Sequence, residues 1–140
     1  MEQKDKELLL KDLCARLPYG VKIYLKDFPN ATFIGVVDEG IMLHCDKHYY
    51  TYDAPRDIEY VKPYLYPLSS MTEEQKEEYN SVCNKDLDAL SEAICNRTYV
   101  KTRIAMPLYY GIDWLIAHHF DYRGLIEKGL AIDCTNLNIY

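Results

Sequence analysis

The sequence predicts an α+β fold: an N-terminal helix, a five-stranded SH3-like or strongly bent antiparallel β-sheet, a long helix and a C-terminal helix pair. Three observations predict it. Residues 4–16, "KDKELLLKDLCAR", carry apolar side chains at helical spacing. Residues 20–66 switch to strict alternation broken by short polar turns. From "MTEEQKEEY" onward the helical period returns. With 140 residues, nearly half of them apolar, the chain reads as one domain. Residues 1–67 form a helix plus a small barrel-like unit, and residues 68–140 form a helical unit packed on it.

In the first helix Leu9, Leu13 and Leu17 line one face, with Leu10 and Cys14 beside them, and Pro18 and Gly20 end it. "VKIYLK" alternates with Val21, Ile23 and Leu25 on one side. "ATFIGVV" is a second strand, Asp38-Glu39-Gly40 a turn, and "IMLHC" the third strand. "HYYTYD" and "DIEYVKPYL" follow, the last ending at Pro63. Five short strands in so little chain fit a closed barrel or a meander covered by helices.

Thr72-Glu73-Glu74-Gln75 is a capping box: threonine and glutamine each satisfy an amide at the other's end of the first turn. The helix it opens runs to about Asn96 along Tyr79, Cys83, Leu87, Leu90 and Ile94. "RTYVKTRIAMP" is an extended connection or an edge strand. A helix follows from about Tyr109 to His119. Asp121 caps, and Gly129 stops, a second short helix. Gly124 in its first turn implies a close backbone approach, because glycine costs about 1 kcal/mol there against alanine.

The stretch "WLIAHHFDYRGLIEKGLAID" concentrates the titratable residues. His118 and His119 point about 100° apart on a helix, so they do not share a metal ion. They serve as packing at a helix end or, with Asp121, as a small catalytic group. Arg123 and Glu127 are spaced to pair on an exposed face. His44, Cys45 and His48 flank a hairpin turn, but alternation sends His44 and Cys45 to opposite faces, and no metal or other cofactor is expected. Cys14 or Cys95 with a distant histidine makes a nucleophile pair, although both lie near apolar stripes and read as packed. No G-x-S-x-G, H-E-x-x-H, phosphate-binding loop or dinucleotide fingerprint is found.

The formal charge is −6, with 9 basic and 11 acidic residues in positions 1–71 and 7 and 11 in 72–140. That argues against nucleic acid, which needs clustered cations. A stripe through Lys22, Lys26, Lys62, Lys101 and Arg103 would reverse this. The five cysteines, Cys14, Cys45, Cys83, Cys95 and Cys134, contain no C-x-x-C pair and fit reduced thiols in a cytoplasmic protein. The N-terminus reads as neither a signal peptide nor a membrane span. Fourteen tyrosines against three phenylalanines are unusual. Tyr49, Tyr50, Tyr52, Tyr60, Tyr64 and Tyr66 form a binding surface, since tyrosine supplies contact area at low entropic loss, or else lie under the helices.

"LPYGVKI", "PYLYPLSSMTEEQKEEY" and "WLIAHHFDYRGLIEKGLA" resemble segments of a family of small uncharacterised proteins of gut Bacteroidetes and their phages and prophages. The resemblance covers under half of the chain. It implies a bacterial or phage-encoded cytosolic protein and carries no activity to transfer. The expected function is a non-enzymatic protein–protein interaction module, an accessory factor binding a host or phage protein. A nucleic-acid-associated small-barrel adaptor and a small enzyme using His118 or His119 with Asp121 are the alternatives.

Overall fold

A computed structural model describes the chain except for residues 27, 39, 48, 49 and 96–108, and the side chains of 28–30, 46, 47, 50–52, 54, 86–95 and 109. Helix α1 (Gln3–Arg16) leads through a 3-10 turn (Leu17–Tyr19) into strand β1 (Lys22–Leu25). Strands β2 (Phe28–Val37), β3 (Gly40–Lys47) and β4 (Tyr50–Arg56) form an antiparallel meander. A second 3-10 turn (Ile58–Tyr60) precedes β5 (Lys62–Leu65). Helix α2 (Glu73–Cys95), helix α3 (Tyr109–Ala117) and strand β6 (Ile132–Asp133) complete the described elements.

The sheet has six strands in the order β4-β3-β2-β1-β5-β6 and is open rather than a closed SH3-like barrel. The reason lies in the path of β5. It crosses from the β4 edge and pairs antiparallel with β1, Ile23 opposite Pro63 and Tyr24 opposite Lys62. Its other edge takes β6 in parallel, Tyr64 opposite Ile132. The tail "LAID" therefore contributes a strand, and the sheet is mixed. The fifth strand is also shorter than expected. Asp57 accepts from the Glu59 amide at 3.0 Å and holds 58–60 in a turn.

One face of the sheet is the core. Ile23, Phe33 and Leu43 are buried there with Leu9 and Leu13 of α1 and with Leu125 and Leu130 from the C-terminal turns. Leu17 is 41% exposed, because the helix has already tightened into its 3-10 turn. The face of α1 that is buried is instead Leu9, Asp12, Leu13 and Arg16. Cys14 is exposed, which corrects its placement on a packed stripe. Beta3 starts close against β4: a Cβ on Gly40, whose φ is 147°, would run into the Arg56 carbonyl. That contact is why glycine opens β3.

The capping box forms as expected. Thr72 Oγ1 accepts from the Gln75 amide at 3.2 Å, and Gln75 Oε1 accepts from the Thr72 amide at 2.9 Å. Tyr79 and Val82 of α2 then pack on Trp114, Leu115 and Phe120. The side chains of Leu87, Leu90, Ile94 and Cys95, and the segment "RTYVKTRIAMP", lie outside the described residues.

Candidate functional site

The end of α3 assembles the polar cluster. The His119 amide donates to Ile116 O at 3.1 Å and the Phe120 amide to Leu115 O at 2.9 Å. His119 has φ 61°, in the left-handed region. This is a Schellman cap with histidine where glycine is usual. It turns the chain so that Phe120 buries on Leu115. The Tyr66 amide donates to His119 O at 2.9 Å, and the Asp121 amide to Tyr66 O at 2.8 Å, fixing the turn to the end of β5. His119 therefore leaves the helix instead of continuing its packing face.

Residues 121–130 form turns rather than the expected second helix. Both ends of that expectation keep their function. Asp121 accepts from the Leu125 amide at 2.9 Å and the Ile126 amide at 2.8 Å, one with each carboxylate oxygen. Gly129, with φ 70°, ends the turn as the Leu130 amide donates to Leu125 O at 2.9 Å. Two positive-φ glycines so close together leave no room for a regular helix. Gly124 has φ 71°, and a Cβ there would meet nothing nearer than 4.0 Å. Backbone conformation, not a close approach, requires it.

Below this turn lies a buried ion network that the sequence reading did not isolate. Arg16 and Asp12 are fully buried, and the guanidinium donates twice to the carboxylate, at 2.6 and 3.2 Å. Arg16 also donates to Ile116 O at 3.3 Å and to Phe120 O at 2.8 Å. One side chain thus ties α1 to the end of α3. Arg123 Nε stands 3.3 Å from Asp12 Oδ1, within ion-pair range but without hydrogen-bond alignment. Arg123 takes this partner in place of the expected Glu127. An Asp and an Arg four apart give the pattern of an ordinary surface pair, so only the buried context distinguishes them.

His118 and His119 are stacked on different rings. His118 lies on Trp114 at 4.0 Å between centroids, and its Nδ1 donates to Trp114 O at 2.9 Å. His119 lies on Tyr140 at 3.8 Å with planes 11° apart. Burial, then the charges of Arg16 and His118, push the His119 pKa down from 6.5 to about 4, so it is neutral at pH 7. Its Nδ1 is buried without a hydrogen-bond partner among the described residues. No hydrogen bond joins Asp121 to either histidine among the described residues. The Asp121 oxygens are instead each directed at a backbone amide of the C-terminal turns.

Tyr60 is 72% exposed, but Tyr64 is only 4% exposed, edge-on to Tyr24. Tyr66 packs against Phe120 and Tyr140, each at 6.0 Å. Among the described members of the predicted surface, Tyr64 is drawn in beside β6 and Tyr66 beside the α3 cap, and Tyr60 alone is exposed. Tyr50 and Tyr52 pair in register with Lys47 and Cys45, their side chains lying outside the described residues along with Tyr49. Other large apolar side chains are exposed instead, among them Tyr24, Tyr110 and Ile112.

His44 pairs across strands with Asp53 at 2.7 Å, while Cys45 is buried on the opposite face; His48 lies outside the described residues. Among the described residues no group of three or more His, Cys, Asp or Glu side chains could hold a metal ion. Lys22 and Lys62 lie on the neighbouring strands β1 and β5, with Lys22 Nζ donating to Thr32 at 2.8 Å. Lys26 is exposed just beyond β1, and Lys101 and Arg103 lie outside the described residues. No described helix is long and apolar enough to cross a membrane. Comparison with protein-family models, with curated proteins and with solved structures finds no match to this chain.

Proposed function

We propose that this chain is a non-enzymatic protein–protein interaction module, an accessory protein of bacterial or phage and prophage origin that binds a host or phage protein in the cytoplasm. The observation that carries the reading is the exposure of tyrosines: Tyr60 at 72% and Tyr110 at 56%. Exposed tyrosines anchor contacts by combining a large apolar ring with a hydroxyl that is satisfied in either environment. Asp121, the carboxylate of the enzyme alternative, holds the C-terminal turns, and the buried Asp12 and Arg16 hold α1 to the end of α3.

The test is affinity capture from a Bacteroidetes lysate with tagged wild type and a Tyr60→Ser/Tyr110→Ser variant, each with and without nuclease. The expected result is one dominant protein that survives nuclease and is lost with the variant. Capture that disappears with nuclease, or equal capture by both chains, overturns the proposal.

A further inference from the structure

Tyr140, 42% exposed, lies in a shallow site at the ends of β1 and β5. Its ring lies flat on His119, 3.8 Å away, with Tyr66 at 6.0 Å and tilted by 50°. Its hydroxyl accepts from the Lys22 amide at 3.1 Å and donates to Tyr64 O at 2.9 Å. The strand register explains where that hydroxyl sits. Ile23 opposes Pro63 and Tyr24 opposes Lys62, so the next antiparallel pair would be Lys22 with Tyr64. The ladder ends before that pair. The phenol oxygen stands between the donor of one strand and the acceptor of the other.

The site therefore reads a phenol by two features. A neutral imidazole forms its stacking wall. A backbone N–H and a backbone C=O form its end, matched to one group that both accepts and donates. Among side chains with a six-membered ring, tyrosine meets both requirements and phenylalanine meets only the first. The backbone of His119 is held independently of the occupant, by its amide, by its carbonyl and by the α3 cap. The ring is partly exposed, but the hydroxyl end is desolvated between the two strands, which raises its pKa and keeps it protonated, as the donor role requires.

The occupant, by contrast, is loosely tethered. Residues 135–138 are exposed. The backbone bonds after Cys134 stay within the segment, Leu137 to Cys134 and Ile139 to Leu137. Releasing Tyr140 breaks the stack on His119, the contact with Tyr66 and two hydrogen bonds, and breaks none of the β1–β5 ladder pairs.

We propose that this is a tyrosine-recognition site, occupied in the resting chain by Tyr140 and taken over by a tyrosine side chain of a protein partner. The source of that tyrosine rests on the interaction reading above. The site shares no residue with Tyr60 or Tyr110, so the two proposals fail separately.

The probe is N-acetyl-tyrosinamide, with N-acetyl-phenylalaninamide as the control, titrated into Tyr140→Ala and wild type and followed by amide NMR. The expected result is saturable shifts of the Lys22 and His119 amides in Tyr140→Ala. Binding to wild type is weaker by about tenfold or more, because the tethered ring competes at millimolar effective concentration. The phenylalanine control binds more weakly than the tyrosine probe. A folded Tyr140→Ala that binds neither compound, or both equally, overturns the proposal. Should that variant fail to fold, Tyr140→Phe keeps the stack and removes the hydroxyl. Its Lys22 amide must then respond to the tyrosine probe at lower concentration than in wild type, and an unchanged response overturns the proposal.

Discussion

Replacing Arg16 with methionine tests the buried network directly. Methionine keeps a long apolar stem and removes the charge and every donor. The two carbonyls that Arg16 serves each keep a backbone donor, the amide of His119 on Ile116 O and that of Tyr122 on Phe120 O. The main loss is therefore at Asp12, a fully buried carboxylate left with Arg123 at 3.3 Å. Breaking a buried pair from one side destabilises by about 3–5 kcal/mol. For a chain of this size that lowers Tm by roughly 10–15 °C. The double variant Asp12→Leu/Arg16→Met removes both charges and should fall within about 2 kcal/mol of wild type. Urea unfolding measures both, read by far-UV circular dichroism and by fluorescence of the single tryptophan, Trp114. A loss below about 1 kcal/mol in Arg16→Met, or a double variant as unstable as the single, refutes the reasoning.

Three further outcomes follow from other features. The lowered pKa of His119 makes stability full above the unfolded value of 6.5, and stability declines as pH falls toward about 4. The loss reaches roughly 3 kcal/mol, and His119→Gln should flatten that slope in denaturation midpoints measured from pH 7 to 4. Gly40→Ala drives a Cβ into the Arg56 carbonyl and should destabilise by about 2 kcal/mol or more in the same unfolding assay. Cys14 is exposed, whereas Cys45 and Cys134 are buried and the Cys134 thiol is pushed up to about 11. Under native conditions near pH 7.5, mass mapping after maleimide treatment should find Cys14 modified and Cys45 and Cys134 protected until denaturant is added.

Local signals in the sequence were read well where local forces decide. The helical leucines of residues 4–16, the alternation through β1 to β3 and the Thr72–Gln75 box all specify structure within a few residues. What was misread depends on partners far along the chain. Arg16 meets Phe120 across 104 positions, and Tyr140 meets Lys22 across 118. No periodicity encodes such contacts. The same holds for barrel closure: alternation in "VKPYL" is equally compatible with β5 beside β4 or beside β1, and the choice depends on β6 and on the α3 cap. His119 was misread for a different reason. A glycine after "LIAH" would have marked the helix end, and histidine in its place conceals it.

The parallel pairing of β5 with β6 has a consequence for the order in which the molecule is made. Residues 64 and 132 are neighbours in the sheet, yet everything from α2 to α3 is synthesised between them. On the ribosome the meander β1–β4 can close early, since few residues separate its strands in sequence. Beta5 then waits with one edge open until about 70 more residues have emerged, several seconds at ordinary elongation rates. During that interval Arg16 and Asp12 remain in water, and the amphipathic α1 has only part of its cover. The nascent chain is thus most vulnerable to strand addition at β5 and to capture of α1, until residues 116–133 arrive and bury both.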